Sequence, residues 1–332
     1  MDHKKTEQPK HKLRRDNVAV VADTSDLLQS NDSPVTRLKI LVEQLRSNLQ
    51  VLISPGDKQF KDVPKRVRLM LVSFAVPLLF AITKIYIFPL SSSLYLWAVV
   101  GTVLAVLTYL GVYWGVKGQV RTDSYFSVLP MPSLFVLANC LFLSFLFVGA
   151  INRVYLWGLF VLAISVFMTF LYILSLAINI LNVSLFYTIP LSRLGESVAF
   201  ISSIVTVFLG SYVVAETAVP MIVAKSYTEL GLLGLFVLVS TFVLIHSLWK
   251  YFVVSTKSVV VSVACLSLFL LVTLFVFVMA SPYAWISAIL QGMVAYVLLG
   301  FIIHKEQNTY KKSVVIEYIV VVIAALILVI WA

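Results

Sequence analysis

Charged residues are scarce in this chain of 332 residues, of which 12% are charged and 61% are hydrophobic. Soluble domains carry about 25% charged residues, so the composition excludes a water-soluble fold. Cysteine is scarcer still, because only Cys140 and Cys265 are present and both fall within long apolar runs. This excludes a framework of extracellular disulfides and any cysteine pair at metal-ligand spacing. The 13 glycines are fewer than average usage predicts, which disfavours the broken helices of many transport sites.

Catalytic motifs are missing as well. The chain has no glycine-rich phosphate loop, no nucleophile elbow and no HExxH sequence. The longest loop predicted on the inner side, residues 117–132, contains one acid, Asp123, whereas general acid–base chemistry needs at least two converging groups. Neither His246 nor His304 has a second ligand at metal-binding spacing. We therefore expect no catalytic residue, no cofactor and no metal.

Long apolar runs fill the chain from residue 69 onward, near or above the roughly 18 to 20 residues that cross a bilayer as a helix. They predict an all-α fold, a polytopic transmembrane bundle preceded by a short basic cytoplasmic region with one amphipathic helix. About nine spans are predicted, at residues 69–88, 94–116, 133–150, 154–177, 198–219, 230–248, 259–280, 283–303 and 314–331. The domains are a disordered polar and basic tail at 1–33, the amphipathic helix with a basic linker at 34–66, and the transmembrane domain at 67–332.

The 25 lysines and arginines are unevenly distributed, since fourteen of them precede the first predicted span. When the remaining cations are assigned to their predicted loops, 22 of the 25 lie on the same side of the membrane as the amino terminus. Cytoplasmic loops of membrane proteins carry such an excess of lysine and arginine. This pattern predicts a cytoplasmic amino terminus and a carboxyl terminus outside. Nucleic acid is not an expected partner, because the basic region has almost no aromatic residues to stack on bases.

The bilayer itself is the expected partner. A cluster of cations lies directly beside the first predicted span: Lys58, Lys61, Lys65, Arg66 and Arg68. Each lysine or arginine near an anionic membrane surface contributes about 1 kcal/mol to the free energy of membrane binding. These five residues are the predicted contact with anionic lipid.

An amphipathic helix is predicted at residues 34–53. Ser33 can cap it and Pro34 fits its first turn, while leucines recur at three- and four-residue steps opposite charged residues. Such a helix either packs under the membrane domain, lies at the headgroups, or binds a protein partner through its apolar face.

Three polar residues stand out inside the predicted spans: Lys84, Glu216 and Gln291. Lys84 and Glu216 fall at about the same depth, roughly 6 Å below the outer surface, which predicts an interhelical ion pair. A structural pair, two snorkelling side chains and a coupling-ion or proton site are the open alternatives. Gln291 lies nearest a span centre, where an interhelical hydrogen bond is the expected role.

Small residues predict two close helix crossings, one at Gly111 and Gly115 and one at Ala288 and Gly292. Residues 178–197 are ambiguous, because they are apolar enough either to lengthen the fourth span or to lie along the inner interface. Pro190 should interrupt any continuous helix there.

The stretch NILNVSLFYTIPLSR, residues 179–193, resembles segments of uncharacterised multi-span inner-membrane proteins of bacteria with small genomes. The resemblance implies a bacterial-type inner membrane and no activity. Three functions remain open on the sequence. The leading hypothesis is a non-catalytic scaffold, assembly or sensor protein, and the alternatives are a secondary transporter of a small solute or lipid and a membrane-embedded enzyme that modifies lipid or glycan.

Overall fold

A computed structural model of the chain describes residues 63–87, 94–116, 129–147, 154–184, 192–252, 256–280, 283–306 and 311–331. Three sequence predictions lie outside these ranges: the tail at 1–33, the amphipathic helix at 34–53, and the basic residues Lys58 and Lys61. They stay predictions.

The described backbone is almost entirely helical, without a strand in those ranges. In chain order the helices are α1 (Lys65–Ile82), continued by a π-helical turn (Thr83–Ile87), α2 (Leu94–Val116), α3 (Pro130–Leu146), α4 (Val154–Ser184), α5 (Ser192–Val223), α6 (Tyr227–Phe252), α7 (Thr256–Ala280), α8 (Ala284–Glu306) and α9 (Lys312–Trp331). The all-α class is confirmed. Six of the described helices are long and apolar enough to cross a membrane: α1 with its π-helical turn, α2, α4, α5, α6 and α8.

Helix α5 occupies the middle of the described bundle, where it packs against α3, α4, α6, α7 and α8. Its most apolar window is 56% buried, the largest fraction among the six long helices. Three small polar side chains on α5, Ser203, Thr206 and Thr217, each donate a hydrogen bond to a carbonyl of their own helix. Neighbouring helices can therefore approach closely without leaving these hydroxyls unpaired.

The two predicted close crossings are confirmed. A Cβ atom at Gly111 would lie only 2.6 and 2.7 Å from the two methyl groups of Val72, and one at Gly115 would overlap the side chain of Leu69. These contacts place α2 directly against α1. In α8, a Cβ at Gly292 would lie 3.6 Å from the Cβ of Phe208, which brings α8 into contact with α5.

Among the ambiguous residues 178–197, the described ones belong to two helices, and the predicted interruption at Pro190 lies outside the described residues. Helix α4 continues to Ser184 and α5 begins at Ser192. The extension of α4 is held by burial, because Ile178 and Leu181 are 0% and 1% exposed. A Cβ at Gly195 of α5 would lie 3.0 Å from Leu181, so the lengthened end of α4 packs on the start of α5.

Candidate functional site

Lys84 lies in the π-helical turn after α1, a kind of irregularity that is frequent at functional sites. Its side chain is 2% exposed. The Nζ atom donates a hydrogen bond to the carbonyl oxygen of Ser144 at 3.0 Å and stands 4.6 Å from the ring centroid of Trp97. Ser144 belongs to the last turn of α3, whose carbonyls lack donors within the helix and carry the negative end of the helix dipole. A helix terminus and an aromatic face thus surround this buried cation.

Glu216 lies on α5 and is exposed. Its carboxylate is hydrogen-bonded to the hydroxyl of Tyr212, one helical turn earlier. The sequence indicates that Lys84 and Glu216 pair with each other, whereas the contacts described above join Lys84 to Ser144 and Glu216 to Tyr212. The ion pair between Lys84 and Glu216 stays a prediction.

Aromatic rings pack around Tyr212 and join three helices. The ring centroids of Tyr212 and Trp285 are 4.4 Å apart, and Phe142 of α3 lies 5.1 Å from Tyr212 in an edge-on arrangement. Trp285 stands at the end of an apolar run, where aromatic residues often mark the membrane interface. The contacts show that its ring also ties α8 to α3 and α5.

Gln291 is 2% exposed and projects from α8. Its Nε2 atom donates a hydrogen bond to the carbonyl oxygen of Leu270 on α7 at 2.8 Å, which confirms the predicted interhelical hydrogen bond. The Oε1 atom is buried and has no hydrogen-bond partner among the described residues. Since most buried polar atoms are hydrogen-bonded, this oxygen calls for an explanation.

A cavity of about 250 Å³ lies beside Gln291, lined by residues of α2, α3, α5, α6, α7 and α8. Leucine, valine and alanine side chains make up most of the lining. The polar groups are few, and they include Gln291, Thr206, Ser211 and Glu229. An apolar cavity with a small number of placed polar groups is the usual form of a site for an organic ligand.

One end of the cavity opens at the lateral surface of the helix bundle, between α2 and α6. Leu232 and Phe236 of α6 line the cavity and are 63% and 41% exposed. At the same end Tyr95 of α2 hydrogen-bonds Glu229 of α6, and both line the cavity. The cavity therefore has a buried end at Gln291 and an exposed end with apolar and polar rims.

Local sequence patterns did not reveal this cavity. Its lining extends from Tyr95 to Gln291 along the chain, and no periodicity within one helix signals a void shared by six. Gly210 of α5 lines the cavity, and a Cβ there would meet no atom within 4 Å. That open space is a tertiary property, although the glycine itself is visible in the sequence.

Three of the five cations predicted to contact anionic lipid, Lys65, Arg66 and Arg68, stand in the first turn of α1, because Pro64 precedes the helix and Lys65 begins it. Arg66 is exposed and Lys65 is half-buried. Arg68 packs on Trp114 of α2, with its guanidinium carbon 5.4 Å from the ring centroid. Among these three, Arg66 is the most available to a headgroup.

A second polar contact joins α8 to α9, where the hydroxyl of Tyr296 donates a hydrogen bond to Oε1 of Glu317. The ring of Tyr318 packs edge-on against Tyr296 at 5.8 Å. Within the part of the chain that the structure describes, no group of three histidines, cysteines or acids could hold a metal ion.

Comparison of the chain with protein-family models, with curated proteins and with solved structures finds no match.

Proposed function

We propose that the protein is a multi-pass integral membrane protein that binds a lipid-like molecule in the cavity beside Gln291 and acts as a non-catalytic sensor. The observation that supports this most directly is the cavity of about 250 Å³. An engineered apolar cavity of about 150 Å³ is enough to hold benzene. The larger cavity is suited to part of an alkyl chain, and its exposed end gives that chain a route in from the side of the bundle.

About nine spans, with a cytoplasmic amino terminus and a carboxyl terminus outside, form part of the proposal. Each predicted apolar segment overlaps one described helix, and 22 of the 25 cations fall on the assigned inner side. The resemblance of residues 179–193 supports a bacterial-type inner membrane.

Lipid transport is the second candidate function. The Tyr95–Glu229 contact places polar groups at the exposed end of an otherwise apolar cavity, and a carrier needs such groups to meet a headgroup. Movement of a fluorescent lipid between leaflets of proteoliposomes discriminates the two: a carrier accelerates it and a sensor does not. A scaffold that recruits a protein through residues 34–53 stays a prediction, as does a lipid- or glycan-modifying enzyme.

Filling the cavity tests the proposed function. In Gly210→Leu the new side chain enters open space and occupies the cavity, without a backbone clash. Gly158→Leu is the matched control, because a Cβ at Gly158 also meets nothing within 4 Å and Gly158 is not part of the lining. Both changes replace a helical glycine with a better helix former.

Native mass spectrometry of the full-length protein, released from mild detergent, measures the bound lipid. We expect wild type and Gly158→Leu to retain the same lipid, and Gly210→Leu to retain about tenfold less. Equal retention by Gly210→Leu would contradict lipid binding in this cavity.

A further inference from the structure

The proposed function leaves the chemical class of the occupant open, and Gln291 narrows it. Among the described residues that line the cavity, Gln291 carries the buried side-chain oxygen that lacks a hydrogen-bond partner. Its Nε2 atom is already engaged, because it donates to the carbonyl of Leu270 at 2.8 Å. That bond fixes the orientation of the amide, and it leaves Oε1 as a hydrogen-bond acceptor without a donor among the described residues.

The unpartnered acceptor selects its ligand by chemistry. A hydroxyl can donate to Oε1, whereas an ether, an ester or a ketone offers only a second acceptor and would leave both oxygens unsatisfied. Discrimination of this kind is strong, because a site built around a buried polar group rejects an analogue that lacks the matching group.

The charge of the lining narrows the class further. The charged residue in the described lining is Glu229, an acid. An anionic headgroup at the buried end would find no cation in that lining, and one at the exposed end would meet the like charge of Glu229, which makes binding of a fatty acid or an acidic phospholipid unfavourable. The volume of about 250 Å³ suits a single chain.

We propose that the cavity binds a neutral single-chain lipid whose hydroxyl group donates a hydrogen bond to Oε1 of Gln291, an inference that rests on the proposed function. The hydroxyl lies at the buried end of the cavity, and the alkyl chain passes out between α2 and α6, alongside Leu232 and Phe236. The apolar lining contacts the chain, and the single polar contact sets its direction.

Two photoreactive compounds test this inference on the full-length protein in nanodiscs. One is hexadecanol carrying a mid-chain diazirine and a terminal alkyne, and the other is its methyl ether, which has nearly the same shape and lacks the donor. Peptide mass spectrometry locates the labelled residues. We expect the alcohol to label residues of the cavity about tenfold more than the ether does.

Substitution of the Gln291 side chain provides the second part of the labelling experiment. In Gln291→Leu the preference for the alcohol over the ether should fall to near unity while the ether still labels the cavity. Asn139→Leu is the matched control, because Asn139 is also a buried amide, bonds within its own helix and is not part of the lining. That variant should keep the preference of the wild type.

Competition on the unaltered protein keeps the test independent of variant folding: unlabelled hexadecanol should displace the photoreactive alcohol, and hexadecyl methyl ether should do so about tenfold less well. Equal labelling of the wild-type cavity by both compounds would overturn the hydroxyl inference, assign the amide oxygen to bound water, and leave lipid binding intact. Absence of cavity labelling by either compound would overturn the proposed function itself.

Discussion

A helix terminus and an aromatic ring both contact a buried lysine in this protein. Lys84 is 2% exposed and bonds the carbonyl of Ser144 at the end of α3, beneath the ring of Trp97. The free carbonyls of a helix terminus and the negative face of an aromatic ring both attract a cation. Reasoning from the sequence paired Lys84 with Glu216, because only formal charges and depths are visible there.

Replacing the two charged residues separately tests this arrangement. Lys84→Met should lower the free energy of unfolding by about 1–3 kcal/mol, since the Ser144 carbonyl loses its donor inside a buried region. Glu216→Gln alters an exposed side chain and should change it by less than about 0.5 kcal/mol. Unfolding in mixed detergent followed by circular dichroism measures both. Equal losses in the two variants would favour the Lys84–Glu216 ion pair instead.

At the scale of elements, close contact between helices depends on where side chains are absent. Gly111 and Gly115 let α2 rest on Val72 and Leu69 of α1. Without a hydrophobic driving force inside a bilayer, van der Waals contact of this kind is a main source of helix association. The spacing of the two glycines is visible in the sequence, whereas the identity of the partner helix is not.

Adding one methyl group at Gly111 tests how much the close contact between α1 and α2 contributes to the free energy of unfolding. Gly111→Ala should destabilise the protein by about 1–3 kcal/mol, because the branched side chain of Val72 cannot move away without shifting its own helix. Gly158→Ala, where a Cβ meets nothing within 4 Å, should be neutral or stabilising by up to about 1 kcal/mol. The same unfolding assay applies, and equal stability of the two variants would remove the argument for a tight crossing.

At the scale of the whole molecule, six helices line the cavity: α2, α3, α5, α6, α7 and α8. A void of about 250 Å³ in a bundle of helices loses packing contacts on every side. A bound chain restores those contacts and stabilises the folded state in proportion to its occupancy. If a chain binds in this cavity, as proposed, its binding should raise the free energy of unfolding.

Reporters on the full-length chain test the proposed topology. With about nine spans and the amino terminus inside, alkaline phosphatase fused after Ala332 should be active and a fluorescent protein at the same position dark. A tag before Met1 should resist protease added to intact cells. Because α3 is among the shorter apolar helices, its failure to cross would return the carboxyl terminus to the cytoplasm and reverse both readouts.

Sequence periodicity and hydropathy are local quantities, which explains how much of the fold they predict. Apolar runs located each of the described helices in order, and the small-residue pairs located two crossings. Sequence periodicity did not predict where α4 ends and α5 begins. The extension of α4 to Ser184 depends on burial of Ile178 and Leu181 against another helix.

The sequence by itself determined the all-helical class, the position of each apolar segment and the presence of a polar residue at Gln291. Only the tertiary structure decided what surrounds these residues. It placed the terminus of α3 beside Lys84, brought six helices around one cavity, and left Oε1 of Gln291 facing no described donor. The reason is physical: a helix forms from contacts four residues apart, whereas a cavity forms from side chains up to about two hundred residues apart.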